Sequence, residues 1–466
     1  MSEDICAVDN YCRSYWMSNP DKLANYRSTT DLPLHSDIVI IGSGFSGSTC
    51  AYYLYKYGQA NRNSLMIIMI EARETCSGAT GRNGGHVKPD VYYSYKQYSE
   101  KYGCQIAESL MQFEAKHIQA MSTLISEENI ECDWEITRAC DAYINSELAE
   151  KSKASFQQRH ADGGDIDDIH EIPTEDLLAI TKVKNVVYGI TFTAASIHPY
   201  KLIHHLLYKC IEHGMNLQTN TSVLAATRLP SGQWSIKTPR GTIYASKVIF
   251  ATNAYTAGIL PLFKNKIIPV RETICRILPS LWYRQSPLKM TYSIRIKENQ
   301  FDYMIARQTG DRSLILGGAK PAHVAEMKTW YNNWDDSIEC NNEKSKHYFE
   351  EFMPKHFDAW GTNDGGCQEF WTGILGYSSD LLPFVGELPD QSNGYVIAGF
   401  HGHGMPRILL CARALADVIL GRTKNIEELI PEPYVITKSR LETKENCILK
   451  HMSAHLNLLE IEERIV

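Results

Sequence analysis

An α/β fold that begins with a parallel sheet is predicted by three features near the start of the chain. The apolar run 37–41 reads as a buried strand. The turn Gly42-Ser43-Gly44-Phe45-Ser46-Gly47 follows it and opens a helical stretch from about Ser46 to Tyr57. A second apolar run, 65–70, ends at Glu71. Strand, turn, helix, strand is a βαβ unit, whose two strands must lie parallel.

Each residue of the turn has a reason. Gly42 permits the tight bend, Gly44 lets the backbone approach a pyrophosphate, and Gly47 lets helix and strand pack closely. The helix start then faces the phosphates with unpaired N–H groups. Glu71 is placed to accept hydrogen bonds from an adenosine ribose. An acid there repels a 2′-phosphate, which disfavours NADP. The interval from Gly42 to Glu71 exceeds the usual spacing of about 20 residues, and the polar connection 58–64 holds the excess. The turn alone does not separate NAD from FAD.

The remaining elements follow in order. Residues 1–36 read as irregular, punctuated by Pro20 and Pro33. Stretches 100–130 and 140–158 read as helical, and 161–168 as an acidic loop. A helix from Pro199 to His213 stops at Gly214, a plausible C′ glycine. Short strands are expected at 216–224, 234–238 and 242–252, and several more within 267–330, including 313–316. Residues 335–365 are polar and mixed. A strand at 395–398 leads through a glycine-rich turn into a helix from Pro406 to Leu420, with proline at its first position. The tail beyond Gly421 is charged and partly helical, and no internal repeat is visible.

Composition excludes several classes. The chain has 466 residues, 44% hydrophobic and 22% charged, as in a soluble globular protein of a few domains. A formal charge of −7 without a long basic run argues against nucleic acid. No apolar run is long enough for a transmembrane segment. Thirteen scattered cysteines show no CxxC pair, and the first residues lack a secretory h-region. Reduced thiols in the cytoplasm are the simplest reading. His401 and His403 have no third ligand nearby in sequence, so no metal is expected. The oligomeric state is left open.

After Glu71 come Ala72-Arg73 and then Ser77-Gly78-Ala79-Thr80-Gly81-Arg82-Asn83-Gly84-Gly85-His86. This segment resembles the flavin loop of the D-amino-acid oxidase, glycine oxidase and sarcosine oxidase (DAO) family of FAD-dependent oxidoreductases. Its form GATGRNGGH resembles a fungal and bacterial subgroup. Three further segments match in order: Ile197-His198-Pro199 with the helix and strand that lead to Val223, the stretch 248–254, and WTGILGYSSDLLPFVG…YVIAGFHGHGM from Trp371 to Met405. Together they span 37–420.

The resemblance implies an FAD-binding Rossmann-like domain of the glutathione-reductase type, interleaved with a β-sheet plus helix substrate domain. On that basis 32–105, 190–258 and 366–425 form the FAD domain, and 106–189 and 259–365 the substrate domain. Residues 1–31 are an N-terminal extension and 426–466 a C-terminal tail. The implied FAD contacts are Gly42, Ser43, Gly44, Phe45, Ser46, Gly47, Glu71, Ala72 and Arg73. They continue with Ser77, Ala79, Thr80, Arg82, Asn83, Gly84, Gly85, Val223, Ala251, Thr252 and Asn253. Gly373, Gly402, His403, Gly404 and Met405 complete them. Relatives with covalent FAD carry a cysteine within the segment matching 371–376. None occurs there, and Cys367 lies upstream, so FAD is expected to be non-covalent.

The pocket departs from the family pattern. Leu375 stands where glycine and D-amino-acid oxidases place an arginine. Pro406, with Arg407 beside it, stands where monomeric sarcosine oxidases place a lysine. A buried carboxylate without a cation is costly, so an amine, or an amino-acid-like molecule held by another cation, is the expected substrate. Ile315 replaces the lysine that assists reaction with oxygen. Catalytic candidates are His401, His86, Tyr303 and Arg307. Arg82, Lys88 and Arg271 are further candidate substrate contacts. For each, a structural hydrogen-bonding role is the alternative. His403 is expected to bond loop backbone, and Tyr92, Tyr93, Tyr95 and Tyr98 to pack.

The implied reaction is hydride transfer from the substrate α-carbon to flavin N5. It leaves an imine and, with oxygen, gives hydrogen peroxide. The positive end of the helix after the glycine-rich turn would stabilise charge at the flavin N1/C2=O edge. The alternatives are a dehydrogenase using another electron acceptor and an FAD-binding protein with a non-catalytic interaction role.

Overall fold

The computed structural model describes residues 5–58, 65–279, 287–297, 300–322, 326–337, 343–358, 360 and 365–452. Two sheets carry the architecture. The first has eight strands. Its central members are His35–Ile41, Ile67–Ile70 and Gly241–Phe250, all mutually parallel. Asn216–Gln218 extends it in parallel beyond Ile67–Ile70, and Gly394–Ala398 beyond Gly241–Phe250. Antiparallel strands Phe384–Glu387, Trp234–Thr238 and Ala225–Arg228 finish it. The four residues of Ile67–Ile70 are all buried, as expected of a strand covered on both faces.

Helix Phe45–Gly58 packs on this sheet between helices Pro199–Glu212 and Ile408–Ile419. Pro199 opens its helix, and the ring of His198 accepts a hydrogen bond from the Lys201 N–H at 3.4 Å. Gly214 follows with φ +94°, which ends the helix.

The second sheet has nine strands and is largely antiparallel. Its order runs Gly366–Ser378, Ile267–Leu278, Leu314–Gly318, Gln300–Ala306, Thr291–Lys297, Glu135–Tyr143, Tyr188–Ser196 and His86–Val87, with the ninth, His170–Glu171, also paired to Tyr188–Ser196. Strands Tyr188–Ser196 and Gly366–Ser378 therefore belong to this layer, and the chain changes layers after Ser196 and Ser378 rather than at 190 and 366. Both strands are drawn there by long antiparallel pairing with strands already in the sheet.

Three local expectations need correction. The stretch 140–158 is not one helix: Glu135–Tyr143 is a strand and Ser146–Ala161 the helix, capped by Asn145. The mixed region 335–365 contains helix Glu343–His356. Pro406 lies in the turn before helix Ile408–Ile419, with Arg407 at the cap. The N-terminal segment is also more than an irregular arm, because Trp16 and Met17 are buried in the main core.

Helix Cys104–Glu128 presents Leu110, Met111, Glu114, His117, Ile118 and Met121 at helical spacing to the interior. It thereby brings one carboxylate and one imidazole against helix Ile408–Ile419, where His117 Nε2 accepts from the Leu410 N–H at 3.2 Å. No helix among the described residues is long and apolar enough to cross a membrane.

Asp302, on strand Gln300–Ala306, gives a pH-dependent prediction. Its carboxyl is 1% exposed and accepts from the Tyr348 hydroxyl at 2.7 Å and the Ala319 N–H at 2.9 Å. Burial outweighs those bonds and raises its pKa from 3.8 to about 6. The folded protein holds this proton more tightly than the unfolded chain. Charging Asp302 therefore costs stability above about pH 6, and the cost fades as pH falls toward 3.8. Asp302→Asn is expected to raise the melting temperature at pH 8 and to lose that advantage near pH 4. A gain that grows as pH falls would contradict this.

Candidate functional site

The predicted glycine turn lines a cavity of about 350 Å³ at the end of the parallel sheet. Gly42 has φ +107°, and a Cβ there would sit 2.6 Å from the Ala251 carbonyl oxygen. A Cβ on Gly47 would meet the Gly42 carbonyl oxygen at 1.9 Å. A Cβ on Gly44 would lie 3.0 Å from Thr80 Oγ1, the atom that accepts from the Phe45 N–H at 2.9 Å. Gly44, Phe45 and Ser46 line the cavity, so the first helical turn meets it. That geometry suits a phosphate.

Glu71 is fixed at the same wall. Its Oε2 accepts from the Ser43 N–H at 3.0 Å and the Ser43 hydroxyl at 2.7 Å. Its Oε1 accepts from the Arg73 N–H at 3.1 Å. An ionised carboxylate has about four acceptor sites, which leaves room for a ribose hydroxyl.

The other lining residues come from separated segments. Ala72, Arg73, Ala79, Thr80 and Asn83 follow the second strand. Val223, Ala251, Thr252 and Asn253 come from the middle of the chain, and Gly402, Gly404 and Met405 from its last third. Asn253 knots two of these together, its Oδ1 accepting from the Gly399 N–H at 3.1 Å.

Ser43, Gly47, Ser77, Arg82, Gly84, Gly85, Gly373 and His403 do not line the cavity; they build its walls. Arg82 is buried under the loop. It donates from Nε to Ser77 O at 2.7 Å and from Nη1 to Thr372 O at 2.6 Å, tying the loop to the second sheet. Trp371 Nε1 returns a bond to Arg82 O at 2.7 Å. A Cβ on Gly373 would lie 3.3 Å from Arg82 Cβ, and one on Gly85 2.3 Å from Ile197 O.

The N-terminal segment is a part of the site that sequence reading missed. Ile5, Cys6 and Ala7 line the cavity. Cys12 Sγ accepts from the Thr372 N–H at 3.2 Å, and Trp16 Nε1 donates to Asn83 O at 2.6 Å. The aromatic run Tyr11, Tyr15 and Trp16 was its only available signal.

At the far end the second sheet closes over the glycine-rich loop. Leu375 lines the cavity beside Gly402. A Cβ on Gly402 would meet Tyr377 Cε1 at 3.2 Å. The Tyr377 hydroxyl donates to Glu272 Oε1 at 2.8 Å, and the His401 ring packs on Tyr377 with centroids 4.2 Å apart. His401 has φ +54° and donates its N–H to Gly376 O at 2.8 Å. Tyr303 lies flat against two glycines. Hypothetical Cβ atoms on Gly84 and Gly317 would come within 2.5 and 2.2 Å of its ring.

The basic candidates are committed elsewhere. Arg307 bonds Asp133 at 3.2 Å, Asp311 at 3.3 Å and the Tyr15 hydroxyl, so it ties the second sheet to the N-terminal segment. Lys88 bonds Asp141 and the Ser293 hydroxyl. Tyr92 donates to the same Asp141 at 2.8 Å, within the buried packing expected of it. Arg271 lies on strand Ile267–Leu278 and does not line the cavity. Ile315 is fully buried in the core.

His86 Nε2 is 2.8 Å from Thr291 Oγ1. Burial, reinforced by the charge of Lys88, lowers its pKa to about 3. His86 is therefore neutral at physiological pH and a weak base.

His403 does not bond loop backbone through its ring. Its Nε2 is 2.7 Å from Glu114 Oε2. Arg407 Nε donates to the other oxygen of Glu114 at 2.7 Å, and the Asp90 N–H adds a bond at 2.7 Å. Burial alone would raise the Glu114 pKa, but Arg407, His403 and these bonds outweigh it and hold it at about 2. Arg407 is thereby locked to Glu114 and is not available to a substrate carboxylate.

Cys367 faces Cys275 at 3.9 Å, away from the cavity. Cys6, on the N-terminal segment, is the cysteine that lines the cavity among the described residues.

A glycine cradle on a parallel sheet, an acid at the second strand and a second sheet over the far end define a dinucleotide-binding oxidoreductase architecture. Residues 37–418 match the family model described as FAD dependent oxidoreductase, DAO, and the chain belongs to that family. FAD is its cofactor, and the cradle built by Gly42, Gly44 and Gly47 with Glu71 fits it. The chain is 23% identical over 431 residues to the probable oxidoreductase OrdL of Haemophilus influenzae, covering 89% of this chain and 90% of that one. It is 22% identical over 441 residues to the gamma-glutamylputrescine oxidoreductase of Escherichia coli, covering 92% and 93%. The crystal structure of glycine oxidase from Geobacillus kaustophilus superposes with a TM-score of 0.66 at 16% identity, over 87% of this chain and 99% of that one.

Proposed function

We propose that the protein oxidises a C–N bond of an amine or amino-acid-like substrate. FAD supplies the hydride acceptor for the substrate α-carbon, and the product is an imine that water hydrolyses. The residues Gly42–Ser46 and Glu71 would hold the dinucleotide end of the cofactor. Thr80, Asn83 and Gly402–Met405 would hold its ring end. One observation carries the substrate reading: the cations that relatives place against a substrate carboxylate are absent at Leu375 and Pro406, and this chain's candidate cations are paired elsewhere. Leu375 is apolar, and Arg407 and Lys88 are paired with Glu114 and Asp141.

Leu375 lines the cavity and Tyr377 packs beside it at Gly402; with Tyr303 they would orient the C–H bond and strip water from the amine. An amine must lose its proton before hydride leaves. We assign that contact to His401, the titratable group placed against the glycine-rich loop. The relatives named above include an oxidoreductase of an amine and an oxidase of an amino acid, which supports this class.

Oxygen is the proposed electron acceptor, giving hydrogen peroxide. Ile315 favours the second reading, a dehydrogenase that passes electrons to another carrier. A non-catalytic interaction role is the third reading, compatible with the missing carboxylate anchors and with a charged tail whose part beyond 452 lies outside the described residues. The cytoplasm is the proposed location, supported by twelve described cysteines that are all free thiols.

The test is anaerobic. Amines, N-methyl amino acids and amino acids of both hands are added to the yellow protein. Bleaching by amines is the expected result, and rapid return of colour in air marks an oxidase. Best bleaching by plain amino acids would refute the argument from Leu375 and Arg407.

A further inference from the structure

Beyond Tyr377, which packs on the cavity-lining Gly402, stands a carboxylate that does not itself line the cavity and that the reaction does not use. Glu272 lies on strand Ile267–Leu278, in register with Gly373 of the neighbouring strand. It is partly exposed. Its hydrogen-bond partner among the described residues is the Tyr377 hydroxyl, at 2.8 Å. Tyr377 also touches the position of Gly402, which lines the cavity. Tyr303, packed on Gly84, lies close enough that the Glu272 charge raises its phenol pKa, after burial. Glu272 thus sits between two aromatic rings that flank the loops 83–85 and 401–405.

We propose that Glu272 is the receptor for a second positive charge on the substrate, so that preferred substrates are diamines or longer polyamines. This inference rests on the amine-oxidising reading above and narrows its substrate class.

Three physical arguments support it. First, the cations named above are taken up by other carboxylates. Arg407, Lys88, Arg307 and Arg276 are each paired with a carboxylate, and none of the ion pairs among the described residues involves Glu272. A substrate carboxylate brought here would meet like charge, whereas an ammonium would meet opposite charge. Second, one bond to Tyr377 leaves about three acceptor sites on Glu272, enough for an –NH₃⁺ group. Third, the Tyr377 hydroxyl fixes the carboxylate in one orientation, so less freedom is lost when a cation binds. The reacting nitrogen must be neutral, so the ammonium that Glu272 holds is a different one. Two nitrogens, one neutral at the ring and one charged at Glu272, are what a diamine provides.

The experiment uses the FAD-loaded protein and three probes of five carbons each: cadaverine, n-pentylamine and δ-aminovalerate. Their far ends are an ammonium, a methyl and a carboxylate. Binding is read by calorimetry and by perturbation of the flavin spectrum, and reduction is read separately under nitrogen. Cadaverine is expected to bind roughly tenfold tighter than pentylamine, with aminovalerate weakest. Glu272→Gln should erase that order. Added salt should erode the cadaverine advantage in the unaltered protein, a reading that needs no variant to fold.

Equal binding of the three probes, an order that survives E272Q, or an advantage indifferent to salt overturns the proposal. The two readings fail separately. Charge-selective binding without bleaching by any amine would sink the oxidation reading and leave the receptor intact. Bleaching by amines without charge selectivity would do the reverse.

Discussion

Gly47→Val is expected to purify as a folded but colourless protein. A Cβ at position 47 would sit 1.9 Å from the Gly42 carbonyl oxygen and 3.2 Å from Ile40 Cγ2. The first obstacle is backbone, so no rotamer change relieves it. The helix Phe45–Gly58 must move away from the strand His35–Ile41, and Gly42 cannot follow. Its own Cα already faces the Ala251 carbonyl, where even a Cβ would fit only at 2.6 Å. Displacing that helix start moves Gly44 and Ser46, the backbone presented to the pyrophosphate. Phosphate recognition by a helix terminus depends on the aim of its N–H groups, so affinity for FAD collapses before the fold does. The ratio of flavin to protein absorbance after purification measures this. Gly366→Ala is the control, because a Cβ there meets nothing within 4 Å. A G47V protein that retains one FAD per chain would show that the close helix–strand contact is dispensable.

That cradle was legible because its constraints are local. Gly42, Gly44 and Gly47 fall within six residues; Gly42 needs its φ of +107°, and Gly47 has no room for a Cβ beside the Gly42 carbonyl oxygen. The strand before them and Glu71 after them need no knowledge of distant chain. The helix beginning at Pro199 was equally readable, since its cap His198 and its stop Gly214 adjoin it.

What escaped depends on partners far away in sequence. Strand Glu135–Tyr143 carries Arg-Ala-Cys-Asp-Ala, which has little strand character alone. It becomes a strand by pairing with Tyr188–Ser196 on one side and Thr291–Lys297 on the other. Cys12 meets Thr372 across 360 residues, so nothing near residue 12 announced that the N-terminal segment helps to wall the site. Arg82 was legible as a member of the flavin loop, but its role was not. Whether a guanidinium faces a cavity or two carbonyls is decided by the strand that carries Thr372, not by the loop. The same holds for Glu272 and Tyr377, which are 105 residues apart.

Glu114→Ala is expected to cost more stability than any other single substitution in the site. Glu114 is 1% exposed and lies between Arg407 and His403, residues 293 and 289 positions away. Removing it leaves the Arg407 guanidinium, 4% exposed, without an anion. Stripping one partner from a buried ion pair costs roughly 3–5 kcal/mol. The pKa supports that scale: about 2 folded against 4.5 ordinarily corresponds to roughly 3 kcal/mol. Because the folded pKa is depressed, this contribution is present above about pH 4.5 and is lost as pH falls toward 2. The melting temperature of the FAD-loaded protein, measured from pH 7 downward, should therefore approach that of E114A only in acid.

The pair also does something stability alone does not capture. Arg407 and His403 bracket Gly404, Met405 and the turn that lines the cavity, so Glu114 anchors a wall of the FAD site from behind. The double variant Glu114→Met, Arg407→Leu separates the two roles. Replacing both charges by apolar groups removes the unpaired guanidinium, so most of the lost stability should return. The anchor of His403 does not return, and FAD affinity should stay below that of the unaltered protein. If the double variant recovers neither, packing rather than charge holds this junction. If it recovers both, the Glu114–His403 bond does not position the loop.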